Sequence, residues 1–202
     1  MKAILIATSN AGKFKEFTEL LKPGIETSYS LADFPGMVLP EENGTSFLEN
    51  ALLKARYAAN LTGIPALADD SGLEVDVLDG NPGVLSARFA GADADDTKNN
   101  EKLLRELTGV ASACRQARFV CCLAFCSPAG ECVTFDGQLS GLILDAPRGS
   151  AGFGYDPLFL VPEFGKTLAE LPISIKNRIS HRSNAFQKFV DFLSETKASR
   201  MD

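Results

Sequence analysis

Asp69-Asp70-Ser71-Gly72 sets two adjacent carboxylates directly after the apolar run Ala66-Leu67-Ala68. Acids in such a place are costly unless they are hydrogen-bonded or hold a cation. Carboxylate oxygens are hard donors and suit Mg2+, which takes one or two protein carboxylates and fills its shell with water and phosphate oxygens. A turn in which the Asp side chains bond their own backbone is the alternative reading. Glu41 and Glu42, in a loop, offer a further carboxylate or form a solvated acidic pair. Glu49 completes a helix cap or supports the outer shell of a metal.

A second group suits anions. The loop Thr8-Ser9-Asn10-Ala11-Gly12-Lys13 leaves an apolar run and opens a helical pattern, so backbone N–H groups and the helix dipole favour a phosphate there. Gly12 permits close backbone approach and Lys13 adds a point charge. The loop lacks the GxxxxGK[ST] pattern of a Walker A sequence, and an ordinary strand-to-helix turn has the same appearance.

Two later segments extend the list. Gly152-Phe153-Gly154-Tyr155-Asp156-Pro157 combines flexible glycines with aromatic rings that stack on bases, or forms a structural turn. Lys176-Asn177-Arg178-Ile179-Ser180-His181-Arg182 holds the chain's one His. Its cations lie at the expected start of a helix, where the dipole opposes them and an anionic ligand would compensate. A basic surface cluster is the alternative.

These residues need elements to position them. Residues 2–7 read as a buried strand, and Phe14, Phe17, Leu20 and Leu21 set a helix over 13–22, stopped by Pro23-Gly24. A second helix is expected over 45–61, opened by Ser46-x-x-Glu49, with Phe47, Ala51, Ala55 and Ala58 on its apolar face. A strand follows over 73–78 with Glu74 and Asp76 facing away, then turns at Asp79-Gly80 and Asn81-Pro82-Gly83. A helix is expected over 95–107, a long hairpin over 117–126 and 131–144, and a last helix over 180–195. The order gives an α/β or mixed α+β class, as one domain over 1–202.

Of the 202 residues, 45% are hydrophobic and 23% charged, enough to bury a core without staples. The net charge of −6 argues against a nucleic-acid partner, which needs a basic face. No segment is apolar for the roughly 18 residues of a membrane span, and no signal peptide is expected. Cys114, Cys121, Cys122, Cys126 and Cys132 form no paired metal-binding framework and read as free, mostly buried thiols. A cytoplasmic protein is expected on that account.

Six stretches in order resemble the inosine triphosphate pyrophosphatase family, whose bacterial members act as dITP/XTP pyrophosphatases. They are TSNAGKFKE (8–16), SFLENALLKA (46–55), ALADDSGLEVD (66–76), NPGVLSARFAG (81–91), GFGYDPLF (152–159) and KNRISHR (176–182). The resemblance covers essentially the whole chain. It implies a homodimer with an elongated central mixed sheet flanked by helices, and two lobes with a cleft between them. It implies magnesium-dependent hydrolysis of ITP, dITP and XTP to the monophosphate and pyrophosphate.

By the same resemblance Thr8, Ser9, Asn10, Ala11, Gly12 and Lys13 hold the triphosphate. Asp70 binds magnesium and accepts a proton from water, with Glu41 as a further metal ligand. Ser71, Phe153, Gly154, Tyr155, Asp156, Lys176, His181 and Arg182 contact substrate. Leu171-Pro172-Ile173-Ser174-Ile175 is less polar than the family's usual sequence there, which touches fine specificity. A pyrophosphatase for modified pyrimidine nucleotides and a non-catalytic nucleotide-binding module are the competing readings. GFGYDP with ISHR disfavours the first, and the intact acid pair disfavours the second.

Overall fold

The computed structural model describes residues 2–21 and 25–198. Seven strands, β1 (Ala3–Ile6), β2 (Thr27–Tyr29), β3 (Ala66–Val75), β4 (Gln116–Cys126), β5 (Cys132–Ile143), β6 (Phe159–Val161) and β7 (Lys166–Thr167), form one sheet in the order β2-β1-β3-β4-β5-β6-β7. Among the described residues five α-helices accompany it: α1 (Ala11–Leu21), α2 (Phe47–Thr62), α3 (Asp96–Glu106), α4 (Ile173–Ile179) and α5 (His181–Ala198). The sheet is mixed, as expected. β1 runs parallel to β2 and β3, while β6 runs antiparallel to both β5 and β7.

The chain divides into two compact units, each assembled from separated segments. The first comprises residues 1–70, 121–137 and 181–202. Its strands β1, β3 and β4 bury side chains on both faces. Ile4, Ile6, Leu67, Cys121 and Leu123 pack with Phe17, Leu21, Phe186 and Phe189 of α1 and α5. Leu5, Ala7, Ala66, Ala68, Cys122 and Ala124 pack with Ala51, Ala55, Ala58 and Ala59 of α2. Alternate side chains of a strand leave opposite faces, so odd and even positions of β3 face different helices. The second unit, residues 71–120 and 138–180, closes around Leu73, Val75, Leu103, Leu107, Phe119, Ile143, Leu158 and Phe159.

Several expectations change. Asp69-Asp70-Ser71-Gly72 is not a turn before a strand at 73–78. It lies inside the ten-residue β3, and Asp76–Leu78 turns as a short 3-10 helix. Ser46 caps α2 by accepting from the Glu49 N–H at 3.2 Å, and the Glu49 carboxylate reaches back to Thr45 N at 2.7 Å. The stop at Pro23-Gly24 lies outside the described residues.

The basic segment is split by Ser180, which is extended between α4 and α5. Lys176 and Arg178 therefore sit in the last turn of α4, where the dipole favours cations, and not at a helix start. Cys126 and Cys132 are joined in a disulfide across the β4–β5 hairpin, their Cα atoms 4.2 Å apart. The turn bond from Ser127 N to Glu131 O brings the two strand ends together. Cys114, Cys121 and Cys122 are free. With one pair bridged, cysteine usage ceases to argue for a reducing compartment. Among the described residues no helix is long and apolar enough to cross a membrane.

Candidate active site

The first unit gathers its charges around the acid pair of β3. Asp69 shares the face of Leu67 and so points toward α1 and α5. Lys13, in the first turn of α1, places its Nζ 2.9 Å from Asp69 Oδ2, and Arg182, in the first turn of α5, places Nε 3.7 Å from the same oxygen. Arg182 also donates to Glu16 Oε2 at 3.0 Å. Burial alone would raise the Asp69 pKa, but Lys13, Arg182 and Lys54 prevail and hold it well below the usual carboxylate range.

Asp70 shares the face of Ala66 and Ala68, toward α2. Its Oδ2 accepts from Asn50 Nδ2 at 2.8 Å. Burial raises its pKa, Lys54 opposes the rise, and Glu42 adds to it. Two consecutive carboxylates thus titrate in opposite directions.

Lys54 ties this side together. Its Nζ is buried, donates to the Asp69 carbonyl at 2.6 Å, and pairs with the Glu42 carboxylate. Burial works against its charge, but Asp69, Glu42 and Asp70 outweigh that and raise its pKa. Glu41, by contrast, is exposed. Of the two loop acids it is therefore Glu42 that is brought to the pair.

The anion loop is folded by its own side chains. Asn10 N donates to Thr8 Oγ1 at 3.2 Å, and Lys13 N donates to Asn10 Oδ1 at 3.0 Å, so Asn10 caps α1. The first-turn N–H groups of Ala11 and Gly12 have no acceptor within the helix. Ser9, Asn10 and Ala11 are exposed, as an anion site requires. His181 is buried at the start of α5. Gly137 of β5 lets that first turn approach: a Cβ there would stand 2.0 Å from the His181 carbonyl oxygen and 2.4 Å from Ala185 N.

Ser71, Phe153, Gly154, Tyr155, Asp156 and Lys176 belong to the second unit. Asp156 Oδ2 accepts from Phe153 N at 3.1 Å and from Lys176 Nζ at 2.7 Å. Lys176 Nζ lies 4.9 Å from the centre of the Phe153 ring. Gly152 is needed because a Cβ would fall 2.1 Å from Asp156 Oδ2. Gly154, at φ +61°, adopts a left-handed conformation. The Tyr155 hydroxyl donates to Ser86 O at 2.8 Å. Asp156 is thus occupied in folding the loop, which leaves the Phe153 ring as its partly exposed aromatic face.

The chain matches the Ham1 family over residues 4–192, in a span that contains every site residue named in this section. It belongs to that family. A Ham1 protein from Coxiella burnetii superposes with a TM-score of 0.88 at 40% identity, covering 96% of this chain and all of that one. The Staphylococcus aureus Ham1 protein gives 0.86 at 41%, with the same coverage. A dITP/XTP pyrophosphatase of Geobacter sulfurreducens is 54% identical over 96% of this chain and 97% of its own length. One from Thermus thermophilus is 50% identical over 93% and 90%.

Within this Ham1 fold Asn50 and Lys54 are the site residues that the sequence does not single out, while Asp69 and Glu42 gain definite partners. Lys54 left a signal: it stands among Ala51, Ala55 and Ala58 on the apolar stripe of α2, where a lysine needs buried partners. Among the described residues no group of three or more His, Cys, Asp and Glu is set to hold an ion. A divalent cation here would therefore rest on Asp70 and Glu42, with water and substrate oxygens for the rest. Two hard carboxylates suit magnesium, which needs no all-protein cage.

Proposed function

We propose that this Ham1-family protein hydrolyses non-standard purine nucleoside triphosphates, ITP, dITP and XTP, to the monophosphate and pyrophosphate. Its role is to clear them from the nucleotide pool. The observation that carries the reading is the divided acid pair. Asp69 is neutralised by Lys13 and Arg182, while Asp70 beside it is held by a neutral amide with its pKa raised. The 54% and 50% identical relatives are dITP/XTP pyrophosphatases, which supports the same activity.

Asp70 and Glu42 would hold magnesium, which when bound polarises phosphate oxygens and lowers the pKa of a water. Asp70 orients the attacking water and takes its proton. Water oxygen bonds to the α-phosphorus as the bond from that phosphorus to the bridging oxygen breaks, and pyrophosphate leaves with the electron pair. Thr8 to Lys13 bind the phosphates, and Lys13 and Arg182 offset the developing charge. Lys54 keeps Glu42 and the Asp69 peptide in register.

Phe153 stacks on the purine, backed by Lys176. Hypoxanthine and xanthine present a 6-oxo acceptor and an N1–H donor, whereas adenine presents a 6-amino donor. A donor aimed at O6 therefore rejects adenine by leaving buried groups unpaired. The N–H groups of Phe153 and Gly154 are already given to Asp156 and Asp96, so neither serves as that donor. We further take the protein to be a cytoplasmic homodimer.

The test is a substrate panel of ITP, XTP, dITP, ATP, GTP and dUTP, with and without magnesium, with products identified. Pyrophosphate and monophosphate from the first three, dependent on the metal, is the expected result. Orthophosphate release, or equal turnover of ATP, overturns the proposal.

A further inference from the structure

The backbone of Gly154 is held from both sides by one helix. Its N–H donates to Asp96 Oδ2 at 2.7 Å, and its carbonyl accepts from Asn100 Nδ2 at 2.8 Å. Asp96 opens α3, where an acid also meets the positive end of the dipole. Asn100 lies one turn further and donates its other amide hydrogen to the Asp96 carbonyl at 2.8 Å. Both hydrogens of that amide are used on carbonyl oxygens, which fixes its orientation. Residues 96 and 100 stand 58 and 54 positions from Gly154 in the chain, so no local turn imposes these bonds.

The same helix is itself firmly seated. Asn99, buried, accepts from Ala90 N at 2.8 Å and donates to Ala87 O at 3.1 Å. Lys102 donates to Phe89 O at 2.7 Å and stands 4.2 Å from the centre of the Phe89 ring. Leu103 is fully buried, and Arg115 donates to the Leu107 carbonyl at 3.2 Å, beyond the end of the helix. Asp156 and Lys176 set the internal shape of the 152–156 loop. Asp96 and Asn100 set where that shape is pinned. Asp96 is exposed, so its bond to Gly154 adds nothing to the apolar core.

We propose that Asp96 and Asn100 are positioning residues that determine base specificity. They clamp the Gly154 peptide from α3, and so fix the Phe153 ring against which a purine stacks. This rests on the reading that residues 153–156 receive the base. A ring displaced by about an ångström can cost on the order of 100-fold in a positioned reaction. Discrimination between purines differing by one exocyclic group depends on the same placement. Neither residue touches the phosphates or the water, so chemistry on a bound substrate is untouched.

The variants D96A, D96N, N100A, N100D and F153A are to be assayed with ITP, XTP and GTP, with thermal melts on each. Loss of the clamp raises KM for ITP about 10-fold while kcat stays within about threefold, and narrows the ITP-to-GTP ratio of kcat/KM. D96N keeps an oxygen for the Gly154 N–H and restores most of the loss. N100D sets a carboxylate against two carbonyl oxygens and is worse than N100A. Inhibition by inorganic tripolyphosphate, which lacks a base, stays at the wild-type value in all five variants. If F153A raises KM but D96A and N100A keep wild-type KM and base ratio, the clamp is refuted and the base-loop reading survives. If F153A leaves KM for ITP unchanged, the base-loop reading fails and takes the clamp with it. Should D96A not fold, N100A and N100D decide on the same ordering, and equal KM in those two overturns the proposal.

Discussion

Asp69 and Asp70 are consecutive in one strand, yet the first pairs with Lys13 at 2.9 Å and the second with the amide of Asn50 at 2.8 Å. Because alternate side chains leave opposite faces, the pair is divided between the α1–α5 side and the α2 side of β3. One acid is held charged by cations, and its neighbour is held by a neutral amide.

Removing the charge of Asp69 leaves Lys13 and Arg182 facing each other without their shared carboxylate. Asp69→Asn should cost about 3 kcal/mol or more, the usual scale for breaking a buried ion pair. For a chain of this length that is a fall in Tm on the order of 10 °C. Thermal unfolding checks it, and an unchanged Tm would remove Asp69 from its role as counter-ion.

In the magnesium-free protein, acidification should protonate Asp70 before it unfolds the chain. The folded pKa of Asp70 is raised, so its carboxylate is lost as pH falls through a value above the ordinary Asp figure of about 4. In stability the raised pKa is favourable below about 4 and that contribution is lost as pH rises through the folded value. Asp69 has the opposite sign. Its depressed pKa stabilises the fold above about 4 and continues to do so until pH drops through its own low folded value. A carboxyl titration of the magnesium-free protein beside melts at each pH should show Asp70 protonated at higher pH than that at which structure is lost. Coincident transitions would contradict the assignment.

Glu42 and Glu41 are adjacent but unequal, since the first is paired with Lys54 beside the acids and the second is exposed. Glu42→Gln should raise the magnesium concentration for half-maximal rate about 10-fold or more, the scale of lost metal-site support. Glu41→Gln should leave it unchanged. A metal titration of ITP turnover distinguishes them, and the reverse order would restore Glu41 as the ligand.

Gly137 is a close-approach glycine, with the backbone of His181 and Ala185 where its side chain would be. Gly137→Ala should shift the first turn of α5 and cost about 1–3 kcal/mol through overpacking. The KM for ITP should rise with it as Arg182 moves. Gly63→Ala is the comparison: it caps α2 at φ +67° with nothing within 4 Å, so it should lose about 1–2 kcal/mol from backbone strain and leave KM alone.

Much of this was legible before any coordinates. The apolar run of β1, the cap at Ser46 and the hairpin of 117–126 with 131–144 are local, and local residues dictate them. That the acid pair lies inside β3 is not legible in the sequence, because two adjacent carboxylates contradict strand composition. What reconciles them is Lys13 and Arg182, brought from 56 and 113 residues away in sequence (69−13 and 182−69). The choice between Glu41 and Glu42 depends on the path of an irregular loop, which neither periodicity nor propensity records. The Cys126–Cys132 bridge depends on hairpin register for the same reason.

The most direct test of the whole account is Asp70→Asn, with ITP turnover and triphosphate affinity measured on the same preparation. Turnover lowered about 100-fold or more, with the Kd for a non-hydrolysable ITP analogue within about threefold of wild type, is the predicted result. Wild-type turnover in that variant would contradict the account outright.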